Sequence, residues 1–203
     1  MKLAVLGATG RTGRLIVEQA LAAGHHVRVL VRSPPKLALQ NARLEVLTGD
    51  PTEASAIGAL VQDRDAVISA LGPGAERVDV CSTATRHVIA AGARRYVAVS
   101  GAGLDVEGDQ KDLVGRVVSF FIRNLTPQIF QDKVLEHRSL ASSTLRWTLV
   151  RPPRLTDKPG SGSPKSSLLR APGASISRAE LAAFTLACAS DDSLVGKAPF
   201  VAG

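Results

Sequence analysis

Aromatic side chains are scarce, at 3% of 203 residues, with one Trp, one Tyr and five Phe. Reading single-stranded nucleic acid uses aromatic platforms interleaved with cations, and so few rings argue against that role. No long basic block compensates, because the cations (Arg11, Arg14, Arg28, Arg32, Arg43, Arg94 and Arg95 among them) are scattered along the chain. No specific nucleic-acid partner is therefore expected. The net charge of +7 reads as solvation plus attraction for an anionic ligand. Only two cysteines occur, Cys81 and Cys188, far apart and outside any Cys-x-x-Cys spacing. That leaves no disulfide framework, and both read as small buried thiols of a reduced compartment. His25, His26, His87 and His137 show no His-x-x-x-His spacing, so no metal is expected. No apolar run approaches the roughly 18 residues that span a bilayer. The four apolar residues after Lys2 are too few for a signal-peptide core. A cytoplasmic chain without a membrane partner is the expectation.

What is present is aliphatic. Hydrophobic residues make up 45% of the chain, and with so few rings the core must be Val, Leu, Ile and Ala, as in an α/β protein with a buried parallel sheet. The length fits one domain over residues 1–203, large enough to bury its own core as a monomer or in a small homo-oligomer.

The organising stretch is Lys2 to Gly13. Leu3 to Leu6 reads as a strand buried on both faces, and glycines follow at Gly7, Gly10 and Gly13 before a helical pattern. Strand, glycine turn and helix start, in that order, form a dinucleotide-phosphate site. Gly7 permits the tight turn, Gly10 admits the pyrophosphate to backbone N–H groups, and Gly13 lets the helix lie close to the sheet. Helix-like spacing continues over Leu15–Ala23, closed by Gly24. Further strands are read at Val27–Val31, Leu44–Leu47, Ala66–Leu71, Tyr96–Val99 and Trp147–Val150, with Pro199–Ala202 as an edge strand. Helices are read at Glu53–Val61 with Thr52 as cap, Val78–Ala91, Val114–Ile122 and Gln128–Leu140. A last helix, Ser177–Ala189, carries the Ser177/Glu180 capping-box spacing. Gly72-Pro73-Gly74 closes the fourth strand. Residues about 104–127 and 156–175 read as acceptor-side loops, the second of them mobile. The alternation predicts a Rossmann-type doubly wound parallel sheet with helices on both faces and a crevice where the strand order reverses, between strands one and four.

An NAD-selective site places a carboxylate at the end of the second strand. Here that position holds Arg32, with Lys36 four residues on and Arg11 inside the glycine turn. A guanidinium grips a 2′-phosphate that a carboxylate would repel. Two such contacts at about 1.5–3 kcal/mol each favour NADP(H) over NAD by two or more decades.

With Gly7-Ala8-Thr9-Gly10-Arg11-Thr12-Gly13, Arg32, Gly49-Asp50, Tyr96-Val97-Ala98-Val99-Ser100 and Arg151-Pro152-Pro153 in place, the chain resembles the atypical short-chain dehydrogenase/reductases. Within them it is most similar to the group of biliverdin-IXβ reductase/flavin reductase and the NmrA-like NAD(P)-binding proteins. The likeness runs over nearly the whole chain, including Ile176-Ser177-Arg178-Ala179-Glu180. It implies pyrophosphate on Gly7, Thr9, Gly10, Arg11 and Thr12, and 2′-phosphate on Arg32 and Lys36. It places adenine near Asp50 and Pro51, and nicotinamide beside Leu71, Gly72, Ser100, Pro152, Pro153 and Arg154.

The departures narrow the chemistry. Ordinary members of the superfamily use Tyr-x-x-x-Lys, the Lys lowering the tyrosine pKa. The single tyrosine here, Tyr96, lies inside strand five with Ser100 in the lysine position, and if Lys133 is the family lysine, Ile129 stands where Tyr belongs. Hydride transfer still runs without that pair, because the cofactor holds the reactive bond. The expectation is an NADPH-dependent reductase of a small planar conjugated acceptor, flavin-, quinone- or tetrapyrrole-like, with Ser100 and Arg154 as the candidate catalytic residues. Lys158 is a further cation for an anionic acceptor. The alternative is a redox-sensing regulator that binds NADP(H) without turnover, the 156–175 loop ordering on binding to form a partner surface. An epimerase or dehydratase is weakened by the missing Tyr-x-x-x-Lys. Cys81 reads as core and Asp132 as a helix-surface charge.

Overall fold

Side chains alternate across the first strand. Leu3 and Val5 enter one core cluster, Ala4 and Leu6 the other, and all four are fully buried. Burial on both faces is what a central strand between two helical layers requires. The computed structural model describes residues 1–37, 39–72, 78–160 and 162–203.

The main sheet comprises β1 (Lys2–Leu6), β2 (His26–Val31), β3 (Leu44–Thr48), β4 (Ala66–Ser69), β5 (Arg95–Val99) and β6 (Arg146–Val150). Its order is β3-β2-β1-β4-β5-β6 and every pairing is parallel. The order reverses between β1 and β4, which puts the ligand crevice of such a sheet at the carboxyl ends of these strands.

One face is covered by α1 (Arg11–Ala22) and α6 (Arg178–Ala187), whose Ile16, Val17 and Leu181 pack over Leu3, Val5 and Val97. On the other lie α2 (Ala54–Val61), α3 (Val80–Ala90) and α5 (Pro127–Ala141), with Ile57, Val88 and Leu140 over Ala4, Leu6 and Ala98. The remaining helix, α4 (Leu113–Leu125), lies beyond this layer against α5.

Where the structure differs from the sequence reading, tertiary context is the cause. The fourth strand stops at Ser69, and Pro73 and Gly74, read as its closing turn, fall outside the described residues. Thr52 does not cap α2. Its own N–H and hydroxyl donate to Asp50 Oδ1 at 2.8 and 2.6 Å, and Glu53 takes the N-cap place without a side-chain bond. The capping box on α6 forms as expected, Ser177 Oγ accepting from the Glu180 N–H at 3.1 Å.

Residues 156–175 are not a structureless loop. They hold short strands: β7 (Arg154–Thr156) pairs with β9 (Ser175–Ser177), and β8 (Lys165–Ser167) pairs with β10 (Phe200–Ala202). Pro, Ser and Gly content marks their turns and hides these three-residue pairings, which are too short to show a period. The C-terminal segment also runs beside β6. Leu149 N–H donates to Lys197 O at 3.0 Å and Arg151 N–H to Pro199 O at 2.8 Å.

Candidate functional site

The nucleotide turn is built by close backbone approach. Gly7 adopts φ +77°, and a Cβ there would stand 2.6 Å from Ala70 O. Gly10 N–H donates to Gly7 O at 3.0 Å, closing the turn. Gly13 sits so near that its Cβ would lie 2.0 Å from Gly7 O. Any side chain at Gly13 would push α1 off the sheet. The helix starts on Gly10 with no side-chain cap and no acidic residue in its first turn. Its N–H groups and dipole are therefore offered to an anion at the carboxyl edge of β1.

The other expected positions sit on neighbouring strand ends. Ala70 N–H donates to Leu6 O at 3.0 Å, so Leu71 and Gly72 leave β4 directly beside the glycine turn. Ser100 N–H donates to Val150 O and Ala102 N–H to Pro152 O, both at 2.8 Å, which zips the ends of β5 and β6 together. Ser100, Pro152 and Pro153 thereby share one side of the crevice. Ser100 Oγ is shut off from solvent and meets no hydrogen-bond partner among the described residues, a buried hydroxyl with its bonding capacity in hand. Arg32 and Lys36 project into solvent beyond β2, Thr9 and Gly10 are exposed, and Thr12 and Asp50 are half-buried. Pro51 is buried, and Arg154 is exposed at the start of β7.

Among the described residues, Arg11 is the turn side chain that is already engaged. It donates to Asp157 Oδ2 at 2.9 Å, and the same carboxylate takes Arg178 at 2.6 Å. Glu180 holds the same region, accepting from the Gly162 N–H at 2.8 Å. Both acids lie far along the chain from the glycine motif; local spacing marks Glu180 as half of a capping box but gives no sign that either acid reaches this region.

Beneath the crevice lies a buried polar layer. Lys133 Nζ donates to Val99 O at 3.1 Å and to Glu136 at 2.9 Å. Burial works to lower Lys133, but the adjacent Glu136 carboxylate more than offsets it and holds the ammonium above its ordinary value. Tyr96 has its hydroxyl 2.9 Å from Thr85 Oγ1, and burial pushes its phenol up. Burial likewise pushes the Cys81 thiol up to about 12, so it is a neutral core group, as its sequence reading held. Neither Tyr96 nor Lys133 is poised as a proton donor to the crevice.

Asp132 is not a surface charge. It is buried and accepts from the Cys81 and Ser82 N–H groups at 3.0 and 2.9 Å, capping α3 from another helix. Arg151, which opens the Arg151-Pro152-Pro153 motif, is fully buried. It grips Asp109 through two bonds of 2.7 and 2.8 Å and stacks 3.7 Å over the Phe200 ring. That clamp holds residues 104–109 against the end of β6. A cavity of about 690 Å³ opens at the opposite, amino end of the strands, lined by Lys2, His26, Asp65 and Arg94 among others, and includes none of the crevice residues.

A family model described as NAD(P)H-binding matches residues 7–192. An uncharacterised chloroplast protein of Arabidopsis thaliana is 31% identical over 180 residues, 79% of this chain. The match spans about three fifths (61%) of that relative's length. Among solved structures, the anaerobilin reductase ChuY of Escherichia coli O157:H7 superposes with a TM-score of 0.82 at 24% identity, over 100% of this chain and 97% of that one. A short-chain dehydrogenase/reductase of Veillonella parvula in complex with NADP gives 0.79 at 19% identity, over 100% and 94%. The oxidoreductase ylbE of Lactococcus lactis gives 0.81 at 16% identity, over 100% and 91%. At these identities the structural likenesses speak for the fold.

Proposed function

Because the chain belongs to the NAD(P)H-binding family, to which its resemblance to the atypical short-chain dehydrogenase/reductases points, we propose that it is an NADPH-dependent reductase of a planar conjugated acceptor. The observation that carries the reading is the seat of Gly13 on Gly7, which leaves the uncapped α1 N-terminus facing the crevice. Gly7, Thr9, Gly10 and Thr12 fit a pyrophosphate there, and Arg11 adds a guanidinium at its edge. Arg32 and Lys36, exposed at the end of β2 with no carboxylate in the selecting position, favour the 2′-phosphate of NADP(H). Leu71, Gly72, Pro152 and Pro153 supply an apolar seat for the nicotinamide. When bound, that cofactor supplies the hydride.

The residues present suit an acceptor that spreads its own charge. Ser100 donates a hydrogen bond to an acceptor heteroatom once its Oγ, closed to solvent and without a partner among the described residues, turns toward the crevice, and Arg154 meets its carboxylate or phosphate. Tyr96 and Lys133 are spent inside the fold, so protonation falls to water or to the acceptor itself. Flavins, quinones and linear tetrapyrroles meet that condition; the ChuY likeness, with its anaerobilin reductase activity, supports the last. Titration with NADPH and NADH, then addition of FMN, a quinone and biliverdin while following the NADPH absorbance band, tests the reading. Tight NADPH binding with acceptor-dependent oxidation is expected. Binding without turnover on every acceptor would overturn the reductase.

One observation favours the regulator as the second reading. Asp157 joins the glycine turn to the β7–β9 segment through Arg11 and Arg178, so an anion taken by Arg11 bears directly on that surface.

A further inference from the structure

The helix α4 presents an apolar face that the fold does not cover. Leu113 and Leu125 are 76% and 75% exposed, Phe120 and Phe121 54% and 55%. With Val117, these residues recur at i, i+4, i+7, i+8 and i+12, which is one face of a helix. The rings of Phe120 and Phe121 meet edge to face, 6.0 Å between centroids. A second exposed apolar pair lies near the start of this helix. Gln110 N–H donates to Leu169 O at 2.8 Å, which sets Leu168 and Leu169, also exposed, beside the approach to α4. Asn124, also exposed, shares this phase of the helix, so the face is apolar apart from one amide, and monomeric proteins rarely leave so many large apolar side chains bare together without a use for them.

Charge selects the occupant. Residues 113–127 and 165–172 contain Arg116, Arg123, Lys165 and Arg170 and no Asp or Glu. Arg116 and Arg123 lie along one flank of the apolar face, the Arg123 guanidinium 5.7 Å from the Phe120 ring centre. Of the carboxylates just before the helix, Asp109 pairs with Arg151 and Asp105 with Lys111, Asp112 accepts from the Gly115 N–H, and Glu107 is exposed. A second copy docked through the same face would bring four more cations and no carboxylate from these segments into the interface. An aromatic-aliphatic face bordered by arginines suits a layer that is apolar within and anionic at its surface.

We propose that α4 and the adjoining Leu168–Leu169 turn form a docking surface for an anionic phospholipid bilayer. The helix lies in the headgroup plane, Phe120 and Phe121 enter the acyl boundary, and the four cations meet lipid phosphates. Docking is peripheral, since no helix among the described residues is long and apolar enough to cross a membrane. It departs from the expectation of no membrane partner, which considered spanning segments only. It stands independently of the reductase reading, because none of these residues is among those assigned to cofactor or acceptor.

Co-sedimentation of the purified chain with vesicles tests this. Equal parts phosphatidylcholine and phosphatidylglycerol should carry the protein down, pure phosphatidylcholine should not, and raised salt should release it. Arg116→Ala and Arg123→Ala should each weaken partition about fivefold. The double variant Phe120→Ser/Phe121→Ser should weaken it by about tenfold or more, with circular dichroism and melting as the folding control. Should that variant not fold, Phe120→Trp replaces it, and a blue shift of its emission on adding anionic vesicles supports insertion. No partition onto anionic vesicles, equal partition onto neutral ones, undiminished binding by the folded double variant, or an unshifted Trp emission overturns the proposal. So does a dimer in sedimentation equilibrium that Phe120→Ser/Phe121→Ser disperses, since a second copy would then own this face.

Discussion

Gly13→Ala probes the nucleotide turn at its tightest point. The added methyl would fall 2.0 Å from Gly7 O and 2.7 Å from Gly7 C, both backbone atoms. Ordinary contact begins near 3.4 Å, so helix and turn must separate by roughly 1.4 Å. Gly7 has no room to retreat, because Ala70 O already lies 2.6 Å from where its own Cβ would be. Overpacking costs about 1–3 kcal/mol, and a seam with backbone on both sides belongs at the top of that range. A loss of about 3 kcal/mol lowers the melting temperature by about 6–12 °C for a chain of this size. Displacing α1 also withdraws its first-turn N–H groups from the phosphate. Two charge-assisted bonds weakened by about 1.5 kcal/mol each reduce NADPH affinity about a hundredfold. Gly58→Ala is the control. It lies inside α2 with nothing within 4 Å of its Cβ position, and it should gain up to about 1 kcal/mol from helix propensity. Thermal melting and calorimetric titration with NADPH read both quantities. A Gly13→Ala protein that melts and binds like the parent would refute the reasoning.

Other expectations follow from the same geometry. Arg32→Ala should weaken NADPH binding by about tenfold or more and leave NADH unaffected, read by parallel titrations; equal loss for both cofactors would remove Arg32 from the 2′-phosphate. Arg151→Ala removes both guanidinium bonds from the Asp109 carboxylate, leaving it only the Val106 N–H and Lys111 at 3.9 Å, and should cost about 3 kcal/mol, measured by urea unfolding. Asp132→Ala leaves the Cys81 and Ser82 N–H groups unbonded and should cost about 2–4 kcal/mol in the same assay. His137 is held below its ordinary value by burial and then by Arg151. The unfolded chain therefore takes up that proton first as pH falls. The stability His137 contributes is full above pH 6.5 and is lost as the pH drops from there toward its lowered native value. Melting curves on both sides of that pH should show the slope in the parent and lack it in His137→Gln.

Most of the architecture was legible because it is written in local patterns. Two-sided apolar runs, the glycine turn before a helix and the Ser177/Glu180 box each need only a few neighbouring residues. They suffice for the parallel sheet, the reversal beside β1 and the strand ends that form the crevice. What escaped is polar and long-range. Asp132 looks like a surface charge on its own helix because its partners lie 51 and 50 residues away. Arg151 ends a strand among prolines, and only its distant partners Asp109 and Phe200 make it a buried clamp. Thr52 has a capping residue type in a capping place, yet Asp50, two residues earlier, claims its hydrogen bonds. Short strand pairings such as β8 with β10 carry no period to read, since their sequence is set by the partner they meet.

The C-terminal strip that runs beside β6 decides how this sheet can grow. Its bonds to Leu149 and Arg151 occupy the outer side of β6, and β3 is left as the terminal strand with an open side. A sheet open at both sides can add copies without end, as fibres do. One open at a single side pairs once and has nothing left to offer. The strip thus denies the outer side of β6 to an incoming strand, and on the main sheet leaves that kind of pairing to β3.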